Sequence, residues 1–202
     1  KNWDKGLTSK KIDSYWQSSE LEYNWRKFVV SDIKALMGKK IDLLEIGCGS
    51  GLIYGEMIKN KVVSANSYVG GDISQNMLKI ARDRFPKTRF IELDIEHLLM
   101  ADKSQNNVVC IQVLQHLPHY RQAINELIRV TKNKLYFASW FHLNTEDSII
   151  FESTSWEASF YNNRYSLSKF IDFLCNNFGS EIKKLIIRQY DDLNFFIYLS
   201  LS

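Results

Sequence analysis

Apolar positions recur along this chain at two periods, and the switches between them mark its elements. Residues 41–46 form an apolar run of strand length; glycines follow, then Leu52, Ile53, Met57 and Ile58 at helical spacing, which predicts strand, tight turn and helix. A second strand is predicted at 67–72, closing on Asp72. Ser74 then opens a helix to Arg84 that places Met77, Leu78 and Ala81 on one face before Pro86 ends it. A third strand is read at 88–94. The nearly unbroken apolar run 107–113 suits a strand covered on both faces, and the helix at 119–130 turns Ala123, Ile124, Leu127 and Ile128 inward.

Beyond it, 134–140 reads as a fifth strand and 166–178 as a helix with Gly179 at its stop. Strands at 181–189 and 194–201 flank Tyr190-Asp191-Asp192, so they are expected to pair as an antiparallel hairpin at the sheet edge. The first forty residues read as one or two helices carrying Tyr15, Trp16, Tyr23, Trp25 and Phe28. Strands alternating with helices predict an α/β fold. Its doubly wound, mostly parallel sheet has seven strands, helices on both faces and an antiparallel last strand.

Length and composition narrow this picture. A chain of 202 residues, 45% hydrophobic and 24% charged, fits one soluble globular domain spanning 1–202. No apolar run approaches the roughly 18–20 residues of a membrane-spanning helix, so no membrane partner is expected. Lys1 to Lys11 is polar, with no secretory signal, and the expected location is cytoplasmic. A net charge of +3 is too small to imply a nucleic-acid partner. Cys48, Cys110 and Cys175 lie far apart in apolar contexts and read as buried thiols, with no metal site.

The glycines carry the first chemical signal. Six of the nine, at 47, 49, 51, 55, 70 and 71, fall within 25 positions. At the end of a strand they allow a sharp turn and let a ligand lie against main chain that a Cβ would shield. A dinucleotide fingerprint, G-x-G-x-x-G, fails here: its third glycine falls on Leu52 or on Tyr54. That spacing disfavours a nicotinamide-dependent oxidoreductase. Asp72, at the end of the second strand, can accept hydrogen bonds from both hydroxyls of a ribose.

The spacing that does fit, acidic-x-G-x-G-x-G from Glu45 to Gly51, resembles the first motif of class I S-adenosylmethionine-dependent methyltransferases, and the later segments follow in the order of that family. The resemblance covers roughly 41–202. It implies S-adenosyl-L-methionine as cofactor and S-adenosyl-L-homocysteine as product. It also implies cofactor contacts from Glu45, Gly47, Cys48, Gly49 and Gly51, from Asp72 and Ile73 at the ribose, from Asp94 and Ile95 at the adenine, and from Gln112. Tyr15, Trp16 or Arg26 would reach the methionine end. Residues 1–40 then form a helical cap, 41–140 the cofactor core, 141–165 an aromatic substrate lid, and 166–202 a C-terminal helix and hairpin.

The resemblance extends to the fourth strand and the His116-Leu117 pair after it, as in the small-molecule enzymes; the Asn/Asp-Pro-Pro-Tyr/Phe version used on nucleic-acid bases is absent. Methyl transfer to a hydroxyl needs a base, and histidine suits it. His116, at the strand end where ligands bind in open sheets, is the first candidate and His142 the second; His97 and His119 read as structural. Seven aromatics crowd 140–165 and suit a small organic acceptor, with Trp140, Phe141, Trp156 and Tyr161 as its walls. The expected reaction methylates an oxygen or nitrogen of a small molecule. A catalytically silent interaction subunit and an RNA or protein methyltransferase are the alternatives, and no oligomeric state is read from the pattern.

Overall fold

The computed structural model describes residues 6–153 and 159–202, which fall into two compact units, 6–95 and 96–153 with 159–202. No described helix is long and apolar enough to cross a membrane.

The first unit opens with two helices, α1 (Gly6–Ser18) and α2 (Glu20–Met37). Ser19 separates them because its Oγ accepts from the Glu22 N–H and so caps α2. Then come β1 (Leu43–Ile46), α3 (Leu52–Lys59), β2 (Tyr68–Asp72), α4 (Gln75–Arg84) and β3 (Arg89–Glu92). The three strands are parallel with β2 in the middle, Leu44 opposite Val69 and Asp72 opposite Glu92. Their carboxyl ends therefore share one edge. The core is filled by all four residues of β1, by Val29, Val30 and Ile33 of α2, and by Met57 and Leu78. The Ser74 hydroxyl accepts from the Met77 N–H to start α4, and the helix stops before Pro86, whose ring disfavours a helical Phe85.

Gly70 and Gly71 in β2 are explained by packing. A Cβ on Gly70 would lie 2.7 Å from the Phe90 ring and 3.0 Å from the Cys48 sulfur, and one on Gly71 would lie 2.3 Å from Leu93 Cδ1. Side chains of this chain, not a ligand, make the close approach.

The second unit runs β4 (Gln105–Ile111), a 3₁₀ turn (Leu114–His116), α5 (Arg121–Val130), β5 (Thr131–His142), β6 (Phe151–Ser153), β7 (Ser159–Tyr161), β8 (Tyr165–Ser166), α6 (Leu167–Phe178), β9 (Ile182–Gln189) and β10 (Asn194–Leu201). β4 and β5 are parallel, whereas β10 lies antiparallel between β5 and β9. The α/β class, the parallel strands and the antiparallel last strand follow the sequence expectation. Val108, Leu127, Phe137, Phe170 and Ile197 are fully buried at its core.

Several boundaries differ from expectation. β3 ends at Glu92, leaving Asp94 in the following loop. β5 begins at Thr131, directly after α5, because the Thr131 hydroxyl donates to the Leu127 carbonyl and closes the helix without a turn. The segment read as a lid contains β6, β7 and β8. Residues 148 and 150 pair with 164 and 162 beyond the β6–β7 ladder, so 148–153 and 159–164 form one antiparallel ladder.

Candidate functional site

In the first unit, the glycine turn between β1 and α3 holds Gly47, Gly49 and Gly51 at φ of 77°, 53° and 79°, a left-handed region closed to most side chains. The Gly71 carbonyl accepts from both Gly47 N–H (2.7 Å) and Cys48 N–H (3.0 Å), which fastens the turn to β2. Asp72 fastens its far side: Oδ2 accepts from Gly49 N–H at 2.8 Å and Oδ1 from Ser74 N–H at 2.9 Å. The Ser50 hydroxyl is buried in this turn with no hydrogen-bond partner among the described residues.

Helix α1 is tied to the same turn. An edge atom of Trp16 lies 3.6 Å from where Gly49 would carry a Cβ. Arg84 of α4 donates to the Ser50 carbonyl at 2.6 Å and pairs with Asp13 at 2.9 Å. Arg26 spends its guanidinium on the Trp16 carbonyl at 2.7 Å, so it holds α1 to α2. Tyr15 is exposed.

The other expected cofactor residues divide by burial. Glu45 is buried and accepts from the Tyr68 hydroxyl. Burial pushes its pKa up to about 8, with the Asp72 charge adding to the rise and the Tyr68 bond opposing it. Burial likewise raises the Cys48 thiol, which packs beneath Gly70. Ile73 is exposed, Asp94 half-buried and Ile95 buried. In the second unit Gln112 has a φ of 56°; its side chain donates to Asn194 at 2.7 Å and accepts from Gln115, so that carboxamide is committed within the protein.

The second unit also holds the histidines. His116 closes the turn after β4, with Nδ1 2.7 Å from the Tyr161 carbonyl. A carbonyl only accepts, so Nδ1 carries the hydrogen and Nε2 is the basic nitrogen of the neutral ring. Burial pushes the His116 pKa down, opposed by the Tyr161 bond, which keeps the ring neutral. Trp140 and Phe160 lie edge-on to it at 6.1 and 6.4 Å between centroids. His142 Nε2 is 3.4 Å from the Ser148 hydroxyl, and its buried Nδ1 has no partner among the described residues.

Among the expected acceptor walls, Trp140 is half-buried near His116, and the Tyr161 ring lies 4.9 Å from Phe151. Phe141 is fully buried 4.8 Å from Phe170, so its ring belongs to the core and forms no wall. Trp156 lies outside the described residues. Among the described residues, no cluster of three His, Cys, Asp or Glu could hold a metal. Sequence reasoning missed Asn163, Gln115, Arg84 and Asp13, whose partners lie far along the chain.

A family model described as a methyltransferase domain matches residues 44–138. A demethylmenaquinone methyltransferase of Leptospira interrogans is 30% identical over 133 residues, 61% of this chain and 53% of that protein. The phthiotriol/phenolphthiotriol dimycocerosates methyltransferase of Mycobacterium tuberculosis is 32% identical over 104 residues, 50% of this chain and 37% of that protein. The chain thus spans about a third to a half of the length of these curated relatives. Among solved structures, the PH0226 protein of Pyrococcus horikoshii superposes with a TM-score of 0.69 at 17% identity, covering 94% of this chain and 99% of that one. Magnesium protoporphyrin IX methyltransferase of Synechocystis, solved with bound S-adenosylmethionine, gives 0.63 at 14% identity and covers 96% and 97%. At those identities the likeness is one of fold.

Proposed function

Because this chain belongs to the class I S-adenosylmethionine-dependent methyltransferases, with the methyltransferase domain at 44–138, we propose that it moves a methyl group from that cofactor to an oxygen or nitrogen of a small-molecule acceptor. The observation that carries this reading is the glycine turn with Asp72 at its mouth.

The residues present fit the cofactor. Three consecutive alternate glycines hold left-handed backbone where a ligand can meet main chain, and the Ser50 hydroxyl beside them has a hydrogen-bonding capacity the described protein does not use. Asp72 stands at the end of β2 beside that turn, bonded to Gly49 N–H and Ser74 N–H, and a carboxylate there suits the hydroxyls of a ribose. Asp94 and the Ile95 main chain would take the adenine. When bound, the sulfonium supplies an electrophilic methyl group, so the protein's task is mainly to position and desolvate the nucleophile.

His116 would remove the acceptor's proton. Burial lowers its pKa, which favours the neutral ring, and the Tyr161 carbonyl takes the Nδ1–H, which makes Nε2 the basic nitrogen. Trp140 and Tyr161 are the aromatic surfaces proposed to receive the acceptor. Demethylmenaquinone and magnesium protoporphyrin IX, named for relatives in sequence and fold, are small organic molecules, which supports that acceptor class.

Incubation with methyl-labelled cofactor and a metabolite extract, followed by mass spectrometry, is expected to yield a labelled small product. Calorimetry showing no affinity for either S-adenosylmethionine or S-adenosylhomocysteine would remove the proposal.

A further inference from the structure

The turn bearing His116 is held from one short segment, 161–165, more than forty residues further along the chain. The Leu114 carbonyl accepts from the Tyr165 hydroxyl at 3.0 Å, the Gln115 carbonyl from Asn163 N–H at 2.9 Å, and the Leu117 carbonyl from Asn163 Nδ2 at 2.7 Å. His116 itself meets the Tyr161 carbonyl.

Asn163 is the hub. It is fully buried, and every polar atom of its side chain is used: Oδ1 accepts from Ile150 N–H at 2.8 Å, and Nδ2 donates to Leu117 and to the Tyr165 hydroxyl at 3.1 Å. A carboxamide satisfied on both ends fixes its own orientation, and with it the spacing of the segments it joins. Its bond to Ile150 locks the antiparallel ladder of 148–153 with 159–164, and its bonds to Gln115 and Leu117 lock the turn. The imidazole and its carbonyl partner thus sit on two segments that Asn163 joins through both its side chain and its main-chain N–H, with the Tyr165 hydroxyl beside it.

We infer that Asn163 is a positioning residue that seats the Tyr161 carbonyl against His116 Nδ1, fixing the Nδ1–H tautomer and so making Nε2 the basic nitrogen of the ring. The inference rests on the reading of His116 as base, but its geometry can be tested without turnover.

Long-range ¹H–¹⁵N spectra of the ¹⁵N-histidine-labelled full chain report the tautomer of each ring. His116, assigned by its loss in His116→Gln, is expected to be Nδ1-protonated in the wild type. In Asn163→Ala the ratio of Nδ1–H to Nε2–H forms is expected to fall about tenfold, the equivalent of one lost hydrogen bond. Affinity for S-adenosylhomocysteine by calorimetry is expected to stay within about twofold of wild type, a change small against the factor of ten that one hydrogen bond commands. Tyr165→Phe, which leaves every Asn163 bond to Ile150, Gln115 and Leu117 in place, should keep the wild-type tautomer.

A wild-type His116 protonated at Nε2 overturns the inference, as does an unchanged ratio in Asn163→Ala. Should that variant fail to fold, Asn163→Asp keeps the acceptor for Ile150 and removes the donors, and the same ratio decides. If the tautomer responds as expected while no cofactor binds, the positioning role stands and the methyltransferase reading falls.

Discussion

Asp72 shows how one carboxylate can serve two ends. Its bonds to Gly49 and Ser74 pre-set the glycine turn before any ligand arrives, which lowers the ordering cost of binding. Asp72→Ala is therefore expected to weaken S-adenosylhomocysteine binding by about 1.5–3 kcal/mol, the range for hydrogen bonds to a charged group, read by calorimetry. Glu45 does a different job. With its pKa raised from 4.5 to about 8, folded Glu45 keeps a proton that the unfolded chain releases. Its stabilising contribution is therefore complete below about 4.5 and is lost as pH rises toward about 8. Glu45→Gln should flatten the pH dependence of unfolding free energy across that window, measured by denaturant titration at stepped pH. A variant with the wild-type slope would place the buried proton elsewhere. In the sequence Asp72 was legible as a strand-end carboxylate and Glu45 as the acid that opens the glycine motif, but only the structure separates the buried one, bonded to Tyr68, from the one at the mouth.

At the scale of elements, β2 and β3 lean on the absence of two side chains. Gly71→Ala places a Cβ 2.3 Å from Leu93 Cδ1 and 2.9 Å from Cγ, closer than rotation of a tip can relieve. A loss of about 1–3 kcal/mol is expected in urea unfolding, as for other overpacked cores. Adding Leu93→Ala should show a favourable coupling energy with Gly71→Ala in a double-mutant cycle. The glycine pair illustrates what sequence can carry: it marked a close approach to backbone, yet could not say whether ligand or side chain made it. Helix α4 was legible to within a residue because Ser74 and Pro86 act locally. β6, β7 and β8 were not, since strands of two or three residues carry no period and owe their form to pairings such as 148 with 164. His116 stood out at a strand end, whereas its partner carbonyl lies 45 residues away.

For the molecule as a whole, the succession of strands and helices and the antiparallel β10 were readable because each element follows its predecessor at short range. The placing of Asn163 was not, because it follows from tertiary pairing alone. Ligand uptake should register in the global transition. Saturation with S-adenosylhomocysteine at about a hundred times its dissociation constant is expected to add about 2.7 kcal/mol to the unfolding free energy and raise the melting temperature, while NAD leaves both unchanged. A shift with NAD alone would return the glycine turn to the dinucleotide readers. Trp16 turns the same event into light. Its indole rests beside Gly49, at the turn proposed to take the cofactor, so occupancy there would change the polarity around a fluorophore the chain already owns. Emission that moves with added ligand, and stops moving in Trp16→Phe, makes this protein its own optical gauge.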